Sequence, residues 1–203
     1  RLSSITSRIL FLLAIASFCL VLYHVLGPAQ QTFHSDCTEA MYWSWTAYES
    51  GHVFNPDFNY CYFLPFSSMI WTVPLVAVFG MGMLSYTLSM IVFVVLYTLA
   101  ILYLAKQMKW TGDWCSTAVT ASLLVLSASS RLREKMWEHA IYYSLGALFI
   151  LFVLGLVFQT ERSFPDWRKH PGVTLVSCAL LLLFSAGCAT DGFQMLAISS
   201  LPV

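Results

Sequence analysis

Charge is what this sequence has least of: ten Lys and Arg and ten Asp and Glu among 203 residues, 10% of the chain, with a formal sum of zero. No basic patch or stripe is present to meet a phosphate backbone, which excludes a nucleic-acid partner. The six cysteines form no CxxC pair and no Cys/His ligand spacing, so the common structural zinc frameworks are absent. Asn55 is followed by Pro56, and Asn59 by Tyr60-Cys61, so neither is a glycosylation sequon. The middles of the long apolar runs also lack ionisable side chains, which are the usual marks of a transport pathway.

Apolar residues supply what charge does not. The chain is 59% hydrophobic with a mean hydropathy of +0.73, the range of integral membrane proteins. Apolar segments fall at 5–26, 66–82, 84–105, 114–130, 140–158 and 173–189. The first is a poor signal peptide, because no small-residue cleavage site follows it and Gly27-Pro28 reads as a helix stop. The first residue is Arg, and Leu201-Pro202-Val203 breaks off as a further apolar stretch begins. The sequence is therefore expected to be part of a longer protein, truncated at its carboxy terminus.

Charge placement arbitrates the doubtful segment, 66–82, which carries Pro74 and runs through Gly80 and Gly82 into the next. If it crosses a bilayer, the basic residues divide five and five: Arg1, Arg8, Arg131, Arg133 and Lys135 against Lys106, Lys109, Arg162, Arg168 and Lys169. If it lies along the outer interface, only Arg131, Arg133 and Lys135 fall outside, and Glu134 and Glu138 flank them. Lys and Arg concentrate on the cytoplasmic side, so the second arrangement is expected. It is an all-α integral membrane protein of about five transmembrane helices, amino terminus inside, with short interfacial helices in a first outer loop over 27–83. A second outer loop spans about 131–140.

The first outer loop begins with forty residues free of Lys and Arg that contain Asp36, Glu39, Glu49 and Asp57 among many aromatics. A short helix is expected from Ala40 to Ser50, ended by Gly51. Asp36 and Glu39 then have two readings. They form a capping box at the helix start, or Asp36, emerging at the membrane surface, accepts a proton from a substrate hydroxyl. Met41, Tyr42, Trp43, Trp45 and Tyr48 suit the headgroup level, where aromatics settle. Cys37 and Cys61 share the loop as a disulfide or as two thiols. In the second loop, Arg131, Glu134, Lys135, Glu138 and His139 share one helical face, as a surface ion-pair set or as an anion site. In the latter, Arg131 or Arg133 holds a lipid phosphate with His139 beside it. Asp36, Glu138 and His139 are also candidate ligands for a divalent metal such as Mg or Mn. Asp191-Gly192 forms a turn or puts one more acid in the same cavity.

The run Ser35-Asp36-Cys37-Thr38-Glu39 with Tyr42-Trp43, then Glu49-Ser50-Gly51, Phe58-Asn59-Tyr60 and the Pro65-to-Gly80 stretch, resembles the amino-terminal module of the multi-spanning GT-C glycosyltransferases. That resemblance covers most of residues 1–203. It implies an enzyme that passes a sugar from a polyprenyl-phosphate carrier to an acceptor outside the cytoplasm. Asp36 matches the essential acid and would be the general base, and Glu39 would bind sugar, acceptor or metal. The turn from Arg131 to His139, with Glu138, would contact carrier phosphate and acceptor. The implied partners are the bilayer, the polyprenyl-phosphate-linked sugar and an unidentified acceptor; the absence of a sequon and of any sorting motif points to a bacterial plasma membrane. A transporter or flippase-like protein and a structural membrane subunit are the alternative readings.

Overall fold

The computed structural model describes residues 4–32, 35–53, 55–59, 68–138, 143–163 and 168–187; among them every regular element is helical. The order is α1 Ser4–Leu26, a 3-10 turn Pro28–Thr32, α2 Ser35–Ser50, α3 Met69–Phe79, α4 Met83–Gln107 and α5 Gly112–Leu126. There follow α6 Ser130–Arg133, which runs into a π turn Glu134–Glu138, then α7 Tyr143–Ser163 and α8 Pro171–Gly187. Three helices, α1, α4 and α7, are long and apolar enough to cross a membrane. At 15 and 17 residues, α5 and α8 are apolar but reach only about 22 and 25 Å at 1.5 Å per residue.

The chain punctuates these helices with residues that cannot continue them. After α1, Gly27 N–H returns to Tyr23 O at 3.1 Å and Pro28, which has no N–H, tightens the chain into the 3-10 turn. Gly51 and Gly80 follow α2 and α3 with φ of +68° and +77°, the left-handed region that glycine enters without a Cβ penalty. Gly80 N–H closes the last turn of α3 on Val76 O at 2.8 Å. Pro171 opens α8, the helical position where a missing N–H costs nothing.

The doubtful segment resolves into α3, eleven residues long. That is about 16 Å, roughly half of a hydrocarbon core of about 30 Å. Connectivity agrees with its length. Gln30, after α1, donates from Nε2 to Thr87 Oγ1, in the second turn of α4, at 3.3 Å. The end of α1 and the start of α4 therefore lie at the same end of the molecule, and a single crossing by α3 would have separated them. α3 instead doubles back beside the start of α4. Trp71 Nε1 donates to Ser89 Oγ at 2.9 Å, and the Thr72 and Ser89 hydroxyls pair at 2.9 Å.

α4 is the centre of the bundle and packs on α1, α3, α5 and α7. Its Phe93, Val94 and Ala100 are fully buried, as are the small polar Ser85 and Ser89 that let α3 approach closely. Against α7 the approach is closer still: a Cβ on Gly155 would sit 2.3 Å from the Tyr103 ring. Tyr103 Oη donates to Gln159 Oε1 at 2.7 Å, and Arg162 donates to Gln107, so the last turns of α4 and α7 share the other end. The outer faces are apolar, with Leu12 of α1, Val78 of α3 and Leu182 of α8 all at least 62% exposed. Exposed aromatics mark both ends. Tyr42 and Tyr48 stand on α2, and Trp110 and Trp114, with ring centroids 6.3 Å apart, stand at the α4–α5 connection. This is the exterior of a membrane-associated helical protein.

Candidate functional site

The acidic and aromatic residues gather at the end where α1 finishes and α4 starts. α2 begins at Ser35 rather than at Ala40, five residues earlier than the sequence pattern suggests. Asp36 is then its second residue and Glu39 its fifth, so both lie inside the helix instead of at its cap. Acidic residues stabilise a first turn through the helix dipole, and that extends the helix back through them. Glu39 is half-buried; the Asp36 side chain lies outside the described residues.

The aromatic face of α2 is divided more sharply than interfacial anchoring requires. Met41 and Trp43 are buried, Trp45 is half-buried, and only Tyr42 and Tyr48 project outward. Ala40, Trp43 and Ala47, one helical stripe, close on Met69 of α3 with Phe58 and Val73. The turn after α2 is organised by Asn55, whose Oδ1 accepts from Asp57 N–H at 3.0 Å and whose Nδ2 donates to Thr46 Oγ1 at 2.9 Å. Between the end of α2 and the start of α3 lies a half-open apolar cleft of about 510 Å³, bordered by Tyr48, His52, Val53, Ile70 and Val73.

The second polar segment is fixed by one side chain that the charge pattern conceals. Within the run from Arg131 to Glu138, Trp137 is fully buried. Its ring meets Tyr97 edge-on with centroids 5.6 Å apart, and Phe93 at 6.1 Å. Its Nε1 donates to Ser127 Oγ at 3.0 Å, Ser127 Oγ donates to Leu123 O at 2.7 Å, and Arg133 Nη1 donates to Ser127 O at 2.8 Å. Ser129 caps α6 by accepting from Leu132 N–H at 3.1 Å. Ser127, the residue that ends α5, thus holds the turn at two points, while Arg131 projects into solvent and Arg133 is half-exposed.

The π turn also packs against the Pro28–Thr32 turn and the end of α1. The backbone therefore brings together the lead-in to Asp36 and the segment of Arg131, Arg133, Glu134 and Glu138, as expected from the sequence. His139 and Asp191 lie outside the described residues, as do the side chain of Glu138 and the Cys61 partner of a Cys37 disulfide. Among the described residues no group of three or more His, Cys, Asp or Glu is arranged to hold a metal ion; the side chains of Asp36, Glu138 and His139 lie outside them. Sequence reasoning missed Trp137, Ser127 and Gln30. The available signal was Met136-Trp137, an apolar pair inside a charged run, which marks an inward face.

Comparison with protein-family models, with curated proteins and with solved structures gives no match.

Proposed function

We propose that the protein is a membrane glycosyltransferase of the GT-C type that takes a sugar from a polyprenyl-phosphate carrier to an extracytoplasmic acceptor. The observation that carries this reading is the packing of the Pro28–Thr32 turn, four residues before Asp36, against the π turn that follows Arg131 and Arg133. An acid and a pair of guanidinium groups are thereby delivered to one end of an apolar bundle, where a lipid-borne phosphate sugar and a soluble acceptor can meet.

In this mechanism the Asp36 carboxylate takes the proton of an acceptor hydroxyl as its oxygen bonds to the anomeric carbon. The bond from that carbon to the phosphate oxygen breaks, and the electron pair leaves with the phosphate. Arg131 and Arg133 offset the charge growing there. Glu39 and Glu138 bind sugar or acceptor, with His139 and Asp191 at the same end, and a divalent ion on Asp36, Glu138 and His139 would add charge stabilisation. The apolar cleft between α2 and α3 suits part of the carrier's chain. The topology that goes with this function has five spans, α1, α4, α5, α7 and α8, in a bacterial plasma membrane. Its amino terminus is cytoplasmic and the Asp36 end faces outward.

The test is transfer of label from a panel of polyprenyl-phosphate sugars by the full-length protein in lipid, with and without chelator. Transfer from at least one donor supports the reading. Absence of transfer from every donor by folded protein contradicts it and favours a transporter or a structural subunit.

A further inference from the structure

The opposite end of the molecule holds a site of a different kind. Between the last turn of α7 and the first of α8 is a cleft of about 340 Å³ lined by Arg162, Ser163, His170 and Val173. Arg162 spends two of its N–H groups on neutral acceptors: Nε donates to Phe158 O at 3.1 Å and Nη2 to Gln107. That brace fixes the guanidinium and leaves three of the five donors of an arginine. Among the described residues no carboxylate reaches ion-pair distance of Arg162 or His170; Asp166 lies outside them.

The surroundings share the sign. The Arg162–Gln107 bond joins this turn to the α4–α5 connection, so Lys106 and Lys109 stand at the same end as Arg168 and Lys169, with Asp113 and Glu161 the described acids there. An apolar track leaves the cleft. Val173, Val176, Leu180 and Leu183 recur at helical spacing along α8, and each is exposed. A cationic cleft at the end of a membrane-length helix, continued by an exposed apolar stripe, has the form of a phospholipid: phosphate in the cleft, acyl chain along the stripe. Basic pockets between membrane helices bind anionic headgroups by this chemistry.

We infer that the α7–α8 cleft is a binding site for the phosphate of an anionic membrane lipid, with Arg162 as its principal ligand, His170 and Ser163 beside it, and the acyl chain on the Val173–Leu183 face. The inference does not rest on glycosyl transfer, and it holds whichever face of the membrane this end occupies.

The full-length protein in nanodiscs of phosphatidylcholine doped with phosphatidylglycerol, read by native mass spectrometry for retained lipid, tests it. Wild type should retain phosphatidylglycerol preferentially, and Arg162→Gln should lower that retention about tenfold, the loss of one charge-assisted contact set. Lys106→Gln, which removes the same charge outside the cleft, should leave retention unchanged. Val173→Asp, which puts an anion into the cleft without touching the Gln107 bond, should act like Arg162→Gln and guards against a folding defect in the latter. A second arm adds about 10 mM inorganic phosphate, well above the affinity of a lone weak phosphate contact. Retention that survives it identifies the lipid as the ligand, and retention that is abolished identifies free phosphate and overturns the lipid assignment. Equal losses in Arg162→Gln and Lys106→Gln, or no preference in wild type, would show only diffuse attraction and overturn the site.

Discussion

Trp137 decides more of this molecule than any charged residue near it. Its ring closes the core against Phe93 and Tyr97, and its N–H ties the π turn to the end of α5. Trp137→Ala should destabilise the protein by about 3–5 kcal/mol, the cost of emptying a large buried aromatic site, measured by denaturant unfolding in detergent. Trp137→Phe keeps most of the packing and loses one hydrogen bond, about 1 kcal/mol, because Ser127 Oγ still donates to Leu123 O. If the two variants unfold alike, the hydrogen bond rather than the ring anchors the turn. Under the proposed mechanism both should also lower transfer, since Arg131 and Arg133 ride on the segment that Trp137 fixes.

Element lengths follow from apolar runs and helix breakers, and those were legible in the sequence. α1, α4, α5, α7 and α8 fall where the runs predict, and α3 is a short element of eleven residues within the doubtful segment. Some element ends were not legible. The start of α2 moved back to Ser35 because Asp36 and Glu39 favour the first turn that the pattern assigned to a loop, and the π turn depends on where Trp137 finds room. Cysteines placed at His52 and Met81, on either side of α3, should react with an impermeant thiol reagent from the same side of a vesicle. Reaction from opposite sides would make α3 a crossing. Gly155→Ala should cost about 1–3 kcal/mol, since its Cβ would displace Tyr103 from Gln159. Tyr103→Leu in the same chain should recover part of that loss; a purely additive double variant would place the strain elsewhere.

At the scale of the whole molecule, a chain of zero net charge is strongly polarised. The connections at one end carry Asp36, Glu39, Glu49, Asp57, Glu134 and Glu138 against Arg131, Arg133 and Lys135, six acids to three bases. The helix ends and connections opposite carry Arg8, Lys106, Lys109, Arg162, Arg168 and Lys169 against Asp113, Glu161 and Asp166, six bases to three acids. The basic end suits a cytoplasmic face; under the proposed function the acidic end would then meet the acceptor outside. This separation is legible in the amino-acid sequence alone, because it needs only the order of the crossings; the cleft at the α7–α8 turn is not, because it needs the Arg162–Gln107 contact. The role of Asp36 is tested by comparing wild type with Asp36→Asn in lipid, scoring sugar transfer and carrier binding on the same samples. Transfer should fall by about two or more orders of magnitude, the scale of a lost general base, while carrier binding and thermal stability persist. Undiminished transfer by Asp36→Asn would contradict that role and leave Asp36 as a residue that stabilises the first turn of α2.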